Sequence, residues 1–306
     1  MSRLNLLITG ISGFIGRSLV EEIVNRNLPW NIHGIDIKDP YFNDPEYLKN
    51  ITFDTVDIRD QKAVEAYFAN KIFDGIIHLA AVSRVVDAEN DKKNCVKTNY
   101  YGTQNVLECI ARNPGAWMVF GSSREVYGEQ TKFPVNENAD KRPKNIYGVC
   151  KLKGEMMVKE YMNRYAILRF SNVYGNNYDI PGRVIPSFVR KAIGGETLVL
   201  EGGRQIIDFT YIDDTVNCII KTAELLQSGT IEAEELHICR GEGVSLSEVV
   251  GFLQECLGKE LSVEVREPRD YDVQNFMGDI TKREKVLGPM EFSSIRQSLQ
   301  KMVNYI

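Results

Sequence analysis

The chain of 306 residues has no stretch of about 18 apolar residues, so no membrane-spanning helix is expected. Its opening, MSRLNLLITG, carries too short an apolar core for a secretory signal. Positive charge is not in excess. Net charge is −5, which argues against a nucleic-acid binder with a basic face. Histidine is scarce, with three in all, and the six cysteines (Cys95, Cys109, Cys150, Cys218, Cys239 and Cys256) form no CxxC pair. That spacing predicts neither a metal site nor a disulfide framework, and fits reduced structural thiols in a cytoplasmic protein. Internal repeats, low-complexity tracts and flexible linkers are missing too.

What remains is an ordinary globular composition, 43% hydrophobic and 26% charged, in a chain long enough for about two compact units. Short apolar runs alternate with amphipathic stretches. LNLLIT (4–9) reads as a strand. The segment after it places Ile15, Leu19 and Ile23 four apart, as on one face of a helix. NIHGIDI (31–37), ITFDTVDI (51–58), GIIHLAA (75–81), AWMVF (116–120) and YAILRF (165–170) read as further strands. Helices are expected at QKAVEAYFAN, over 90–111 and over 146–163. After 170 the rhythm loosens, and DFTYI (208–212) with the helix behind it reads as one more strand and helix belonging to the sheet domain. His78 falls in a strand and is expected to be a hydrogen-bonded core residue. Strands alternating with helices predict an α/β fold, a doubly wound Rossmann-type parallel sheet with a smaller C-terminal α/β substrate domain.

Between the first strand and its helix lies TGISGFIG (9–16). Gly10, Gly13 and Gly16 would let the backbone turn, approach a pyrophosphate and pack helix against strand. The helix N-terminus would then receive the phosphates. Asp36 stands 20 residues past Gly16, where a carboxylate can accept the ribose hydroxyls of NAD and repel the 2′-phosphate of NADP.

The stretch GSSREVYGE (121–129) leaves a buried strand and at once spends two hydroxyls, a base and an acid. Further on, NIYGVCK puts Tyr147 and Lys151 one helical turn apart, on a shared face. An ammonium about 4 Å from a phenol, at an effective dielectric of 20, is worth about 4 kcal/mol, enough to bring a tyrosine near neutral pKa. Such a phenol could serve as general acid and base. A second copy of this spacing, Tyr67 and Lys71, has no hydroxyl motif ahead of it and reads as a helix end. Ser122, Ser123 and Tyr147 should meet at the carboxyl ends of the strands, where open α/β sheets bind ligands.

TGISGFIG, HLAA (78–81), Asn99, SSREVYG, YGVCK and LRFSNVYG (168–175), in that order along nearly the whole chain, resemble the extended short-chain dehydrogenase/reductases. More narrowly they resemble the NAD-dependent nucleotide-sugar epimerase/dehydratase family. The resemblance implies that Ser123, Tyr147 and Lys151 are the catalytic hydroxyl, base and lysine, with Glu125 as a further candidate. It implies an NAD site lined by Gly10, Gly13, Phe14, Ile15, Gly16, Asp36, Asp57, Ile58, Leu79, Ala80, Ala81, Asn99, Tyr147, Lys151 and Phe170. Arg84, Ser123, Asn172, Val184, Arg204 and Arg269 would bind a nucleotide sugar, UDP-linked by expectation. Ile207 stands where the family usually has a phosphate-binding arginine, a loss Arg204 could offset. The resemblance also implies a homodimer built through the helices near 90–111 and 146–163.

The expected reaction is 4-epimerisation of a UDP-sugar through a transient 4-keto sugar. The alternative is dehydration with Glu125 as C5 base, and a catalytically silent NAD(H)-sensing member is a third reading. Residues 1–170 and 206–240 are expected to form the NAD domain, and 171–205 with 241–306 an interleaved nucleotide-sugar domain.

Overall fold

The structure, a computed structural model, describes residues 3–305; Met1, Ser2 and Ile306, at the ends of the ranges above, lie outside it. The strands are β1 (Leu4–Thr9), β2 (Trp30–Asp36), β3 (Ile51–Thr55), β4 (Gly75–His78), β5 (Trp117–Ser123), β6 (Tyr165–Phe170), β7 (Asn172–Tyr174), β8 (Leu198–Glu201), β9 (Ile206–Tyr211), β10 (Ala233–Ile238), β11 (Gly243–Ser245) and β12 (Val263–Arg266). The α-helices are α1 (Phe14–Asn25), α2 (Gln61–Phe68), α3 (Val85–Asn90), α4 (Lys92–Val96), α5 (Thr103–Ile110), α6 (Ile146–Tyr161), α7 (Val184–Gly194), α8 (Ile212–Gln227), α9 (Leu246–Leu257), α10 (Thr281–Leu287) and α11 (Ile295–Tyr305).

Seven strands form one parallel sheet in the order β10-β6-β5-β4-β1-β2-β3. Both faces are covered, which explains why these strands read as unbroken apolar runs. Successive residues alternate across the sheet. Leu6 and Ile8 join the core under α1 and α8, while Leu7 joins the core under α2, α5 and α6. The chain leaves β1 toward β2 and β3, then returns on its other side through β4. That reversal opens a crevice at the strands' carboxyl ends, where the nucleotide-binding turn of such folds lies.

Two expectations are corrected. The strand near 208–212 does not join the large sheet. It is β9, paired parallel to β7 and antiparallel to β11. Its Asp208 is fully buried and accepts the N–H groups of Arg240, Gly241 and Gly278, so this strand pins neighbouring loops. The seventh strand of the large sheet is β10, whose Glu234 and Glu235 hide it from an apolar-run reading. The helix over 90–111 is also not continuous. Asp91 leaves helical geometry (φ −136°, ψ 75°) and caps α4 through the Asn94 N–H. A wider π-turn over Lys97–Gly102 then precedes α5.

A second region is built from residues after 170. It holds β7, β9 and β11, the small parallel pair β8 and β12, and α7, α9 and α11. α9 starts with a reciprocal cap between Ser245 and Glu248. Among the described residues no helix is long and apolar enough to cross a membrane. No group of three His, Cys, Asp or Glu among them is placed to hold a metal ion. All six cysteines are free.

Candidate active site

One cavity of about 800 Å³ runs from the glycine loop after β1, across the ends of β4, β5 and β6, to β8 and the Arg269 segment. Its NAD-like end is shaped by glycine. Gly10 has φ +74°, and a Cβ there would stand 2.6 Å from the Ala80 amide nitrogen. A Cβ on Gly16 would meet the Gly10 carbonyl oxygen at 2.5 Å. α1 begins at Phe14 with no side-chain cap, so no hydroxyl or carboxylate competes for its first amides. An anion can take that place. Asp36 ends β2 with its carboxylate held by the N–H groups of Ser12 (3.0 Å) and Ile37 (2.7 Å). Burial pushes its pKa up, and these amides pull it back down. Asp57 is paired by both oxygens to Arg59, which holds its carboxyl below the usual range. This cradle fits a dinucleotide: glycine where side chains would clash, an uncapped helix start, and an acid at the end of the second strand.

The chemical end is delivered by β5 and α6. β5 runs buried through Ser123, whose hydroxyl accepts the Glu125 N–H (3.2 Å) and caps a single 3₁₀ turn. Asn145 caps α6 by accepting the Gly148 N–H (2.8 Å), which starts the helix so that Tyr147 and Lys151 face the same cavity. Lys151 Nζ donates to the Gly121 carbonyl (2.7 Å), tying α6 to β5. Ser122 points away from the cavity's chemistry and donates to Glu155 on α6 (2.6 Å).

The electrostatics differ from the expectation of a phenol lowered by Lys151. Burial pushes the Tyr147 phenol up to about 12. A hydrogen bond with Ser123 and the nearby charge of Arg183 pull the other way without overcoming it. Burial also lowers the Lys151 ammonium to about 8. Lys151 Nζ lies 5.9 Å from the centre of the Tyr147 ring and spends a donor on Gly121, so its charge is not aimed at the phenol oxygen alone.

Glu125 is engaged on both oxygens. It takes Asn145 Nδ2 at 2.7 Å and Arg124 Nη2 at 3.1 Å. Arg124 Nε donates to Asn172 Oδ1 (2.8 Å). Tyr67 and Lys71, the second copy of the spacing, lie outside the cavity. There Lys71 Nζ sits 3.6 Å over the Tyr67 ring and pairs with Asp54. His78 is a core residue as expected, bonded to the hydroxyls of Thr9 (2.7 Å) and Thr103 (3.0 Å).

Of the residues singled out by sequence, two lie off the cavity. Asn99 is buried beside it and holds both backbone groups of Val82, accepting from its N–H (2.7 Å) and donating to its carbonyl (2.9 Å). Asn99 is therefore a strut under a cavity residue and does not line the cavity. Arg204 is exposed and outside the lining, so it does not stand in for the arginine absent at Ile207. The others all line the cavity: Gly10, Gly13, Phe14, Ile15, Gly16, Asp36, Asp57, Ile58, Leu79, Ala80, Ala81, Phe170, Ser123, Glu125, Tyr147, Lys151, Arg84, Asn172, Val184 and Arg269. Arg269 is engaged by Asp272 (2.7 Å) and Glu201 (2.9 Å). Sequence reading missed Arg183, which precedes α7 and sits near both Phe14 and Tyr147. The signal available was a lone arginine between a glycine and an apolar helix start, which has no specificity by itself.

The family model described as the NAD dependent epimerase/dehydratase family matches residues 6–233. A UDP-glucose 4-epimerase of Pisum sativum is 26% identical over 316 residues, covering 92% of this chain and 90% of that one. The solved UDP-glucose 4-epimerase of Thermotoga maritima, with UDP-glucose, has a TM-score of 0.89 at 28% identity, covering 99% of this chain and 98% of that one. MoeE5, solved in complex with UDP-glucuronic acid and NAD, has a TM-score of 0.85 at 25% identity, covering 98% of both chains.

Proposed function

The chain belongs to the NAD-dependent epimerase/dehydratase family, and from that premise we propose that it is a UDP-sugar 4-epimerase working through a 4-keto sugar. The observation that carries this reading is one cavity that gathers the glycine loop and Asp36 at one end and Ser123, Tyr147 and Lys151 beside it. Bound NAD+ supplies a hydride acceptor that can return the hydride to either face of a reoriented keto sugar. Ser123 orients the 4-hydroxyl. The Tyr147 oxygen takes its proton on oxidation and gives it back on reduction. Burial favours the protonated phenol, near 12, and the Ser123 hydrogen bond and the Arg183 charge are what ease it toward the phenolate that takes the 4-hydroxyl proton. Lys151, anchored on Gly121, keeps positive charge beneath the reacting group.

Glu125 supports isomerisation over elimination. One bond on each of its oxygens, from Asn145 and Arg124, ties it to the end of β5 and the start of α6, a structural role that 4-epimerisation leaves it free to keep. Arg124 beside it is a guanidinium, a group that offers no acid to a departing hydroxyl.

In this reading the large-sheet unit, residues 1–170 and 212–240, holds the dinucleotide, while 171–211 and 241–306 hold the nucleotide sugar, Arg269 serving the diphosphate; the expected boundary at 206 moves to 212 because β9 pairs with β7 and β11. A homodimer through α5 and α6 fits the exposed Tyr101, Val149 and Met156 on those helices and the turn before them. The test is mass spectrometry with epimer-resolving chromatography of UDP-glucose and UDP-N-acetylglucosamine incubated with the protein and no added reductant. Unchanged mass with a new C4 epimer is expected. Loss of one water from the sugar would move the assignment to a dehydratase.

A further inference from the structure

Arg124 is 7% exposed and lines the cavity immediately after Ser123. Two of its three nitrogens are used: Nε donates to Asn172 Oδ1, and Nη2 pairs with Glu125. Nη1 is buried and has no partner. A buried guanidinium nitrogen left unbonded is costly, and its fork geometry suits a carboxylate. The same cavity carries Arg84, bonded to the Gly182 carbonyl and paired with Asp87, and Arg183, paired with Asp179.

We propose that Arg124 completes its hydrogen bonds on the sugar itself and that the preferred substrate is a UDP-linked uronic acid. This rests on the epimerase reading above, in which Ser123 and Tyr147 hold the 4-hydroxyl. In a pyranose uronate the carboxylate hangs from the carbon next to the reacting one. It therefore falls beside the neighbour of Ser123. A hydroxymethyl group offers Nη1 a neutral acceptor, whereas a carboxylate offers a charge-assisted bond, which is about twice as strong. Asn172 and Glu125 fix two corners of the guanidinium, so the third is presented without further loss of side-chain freedom.

The experiment is calorimetric titration of the NAD-loaded protein with UDP-glucuronate and UDP-glucose, reading the ratio of the two affinities. That ratio cancels general damage to the site. The unmodified protein should favour the uronate by roughly tenfold to a hundredfold, the range of one charge-assisted bond. In Arg124→Met combined with Glu125→Gln, which removes both charges of the pair, the ratio should fall to about one. Arg124→Lys keeps the charge, loses the fork and should give a reduced preference; it serves if the double variant does not fold. Arg183→Met should keep most of the preference. A ratio near one in the unmodified protein overturns the proposal, as does a preference abolished by Arg183→Met and indifferent to Arg124. If UDP-glucose is epimerised while no uronate preference is found, this inference falls and the epimerase reading stands. If neither nucleotide sugar binds, the epimerase reading falls with it.

Discussion

Arg169 sits at zero exposure between β5, β6 and α6, and replacing it measures how strongly the catalytic helix is tied to the sheet. Its Nε and Nη2 each meet one oxygen of Glu155 at 2.8 Å, and its Nη1 meets the Tyr127 hydroxyl at 2.8 Å and the Glu137 carbonyl at 3.1 Å. Glu235 adds a second carboxylate to Nη2. Glu155 is 1% exposed and otherwise keeps only the Ser122 hydroxyl. Arg169→Met therefore strands a fully buried carboxylate, a change that costs about 3–5 kcal/mol in such pairs. Total stability of a domain is about 5–15 kcal/mol, so the loss is a large share of it.

Glu155→Gln should be milder, because Glu235 still neutralises Arg169 and the amide oxygen still accepts from Ser122. The double variant should be more stable than the sum of the singles predicts, with a coupling of about 1–3 kcal/mol. Urea unfolding followed by fluorescence reads all three, since Trp117 lies buried on β5 with its indole N–H on Gln227. An Arg169→Met cost below about 1 kcal/mol, or strict additivity in the double variant, would refute the claim that this ion pair holds α6.

Tyr147→Phe keeps the ring in its cluster with Cys95 and Cys150 but removes the titrating oxygen, so turnover should fall at least about a hundredfold while the fold survives; Tyr67→Phe, away from the cavity, should leave turnover nearly unchanged, and steady-state assays check both. Asp36→Ala should weaken NAD and narrow its advantage over NADP, read by cofactor titration, and equal affinities in the unmodified protein would contradict the ribose assignment. Lys151 is a base whose folded pKa, about 8, lies below its ordinary value of 10.5. At pH 7 it is charged folded and unfolded, its burial penalty is fully present, and the penalty relaxes as pH rises from about 8 to 10.5. Cofactor-stripped protein should thus gain about 3 kcal/mol of stability from this group across that window, and Lys151→Met should lose that part of the pH dependence in unfolding titrations.

The sheet was legible because buried parallel strands must be apolar on both faces. LNLLIT, GIIH and AILRF could be little else. β10 escaped because its first half carries Glu234 and Glu235, which pair with Lys282, Lys159 and Arg169 near the sheet's edge. A strand that spends its side chains on ion pairs has no apolar run to read. β9 reads as a strand, but the sheet domain it was expected to join is not where it pairs. Its pattern says how it is buried and not beside what, and the deciding contact is Asp208 with amides more than thirty residues away. Asp91 is of a residue type that caps helices, but the apolar spacing continues on both sides of it and shows no break there.

The site divides in the same way. Residues set by backbone geometry could be found from spacing: Gly10 and Gly16 where a Cβ would collide, Tyr147 and Lys151 one turn apart behind the Asn145 cap. Residues whose role depends on what lies opposite could not. Asn99 has the right position in the chain, but its amide is consumed by Val82. Arg204 has the right charge near Ile207, but it points to solvent. The phenol of Tyr147 shows the limit most directly. One helical turn puts an ammonium near it, and in water-like surroundings that proximity would dominate. Inside this cavity the same burial that brings the two groups together penalises both charged forms, raising the phenol and lowering the lysine. Spacing identifies the pair, while the depth of the cavity sets which proton each one holds.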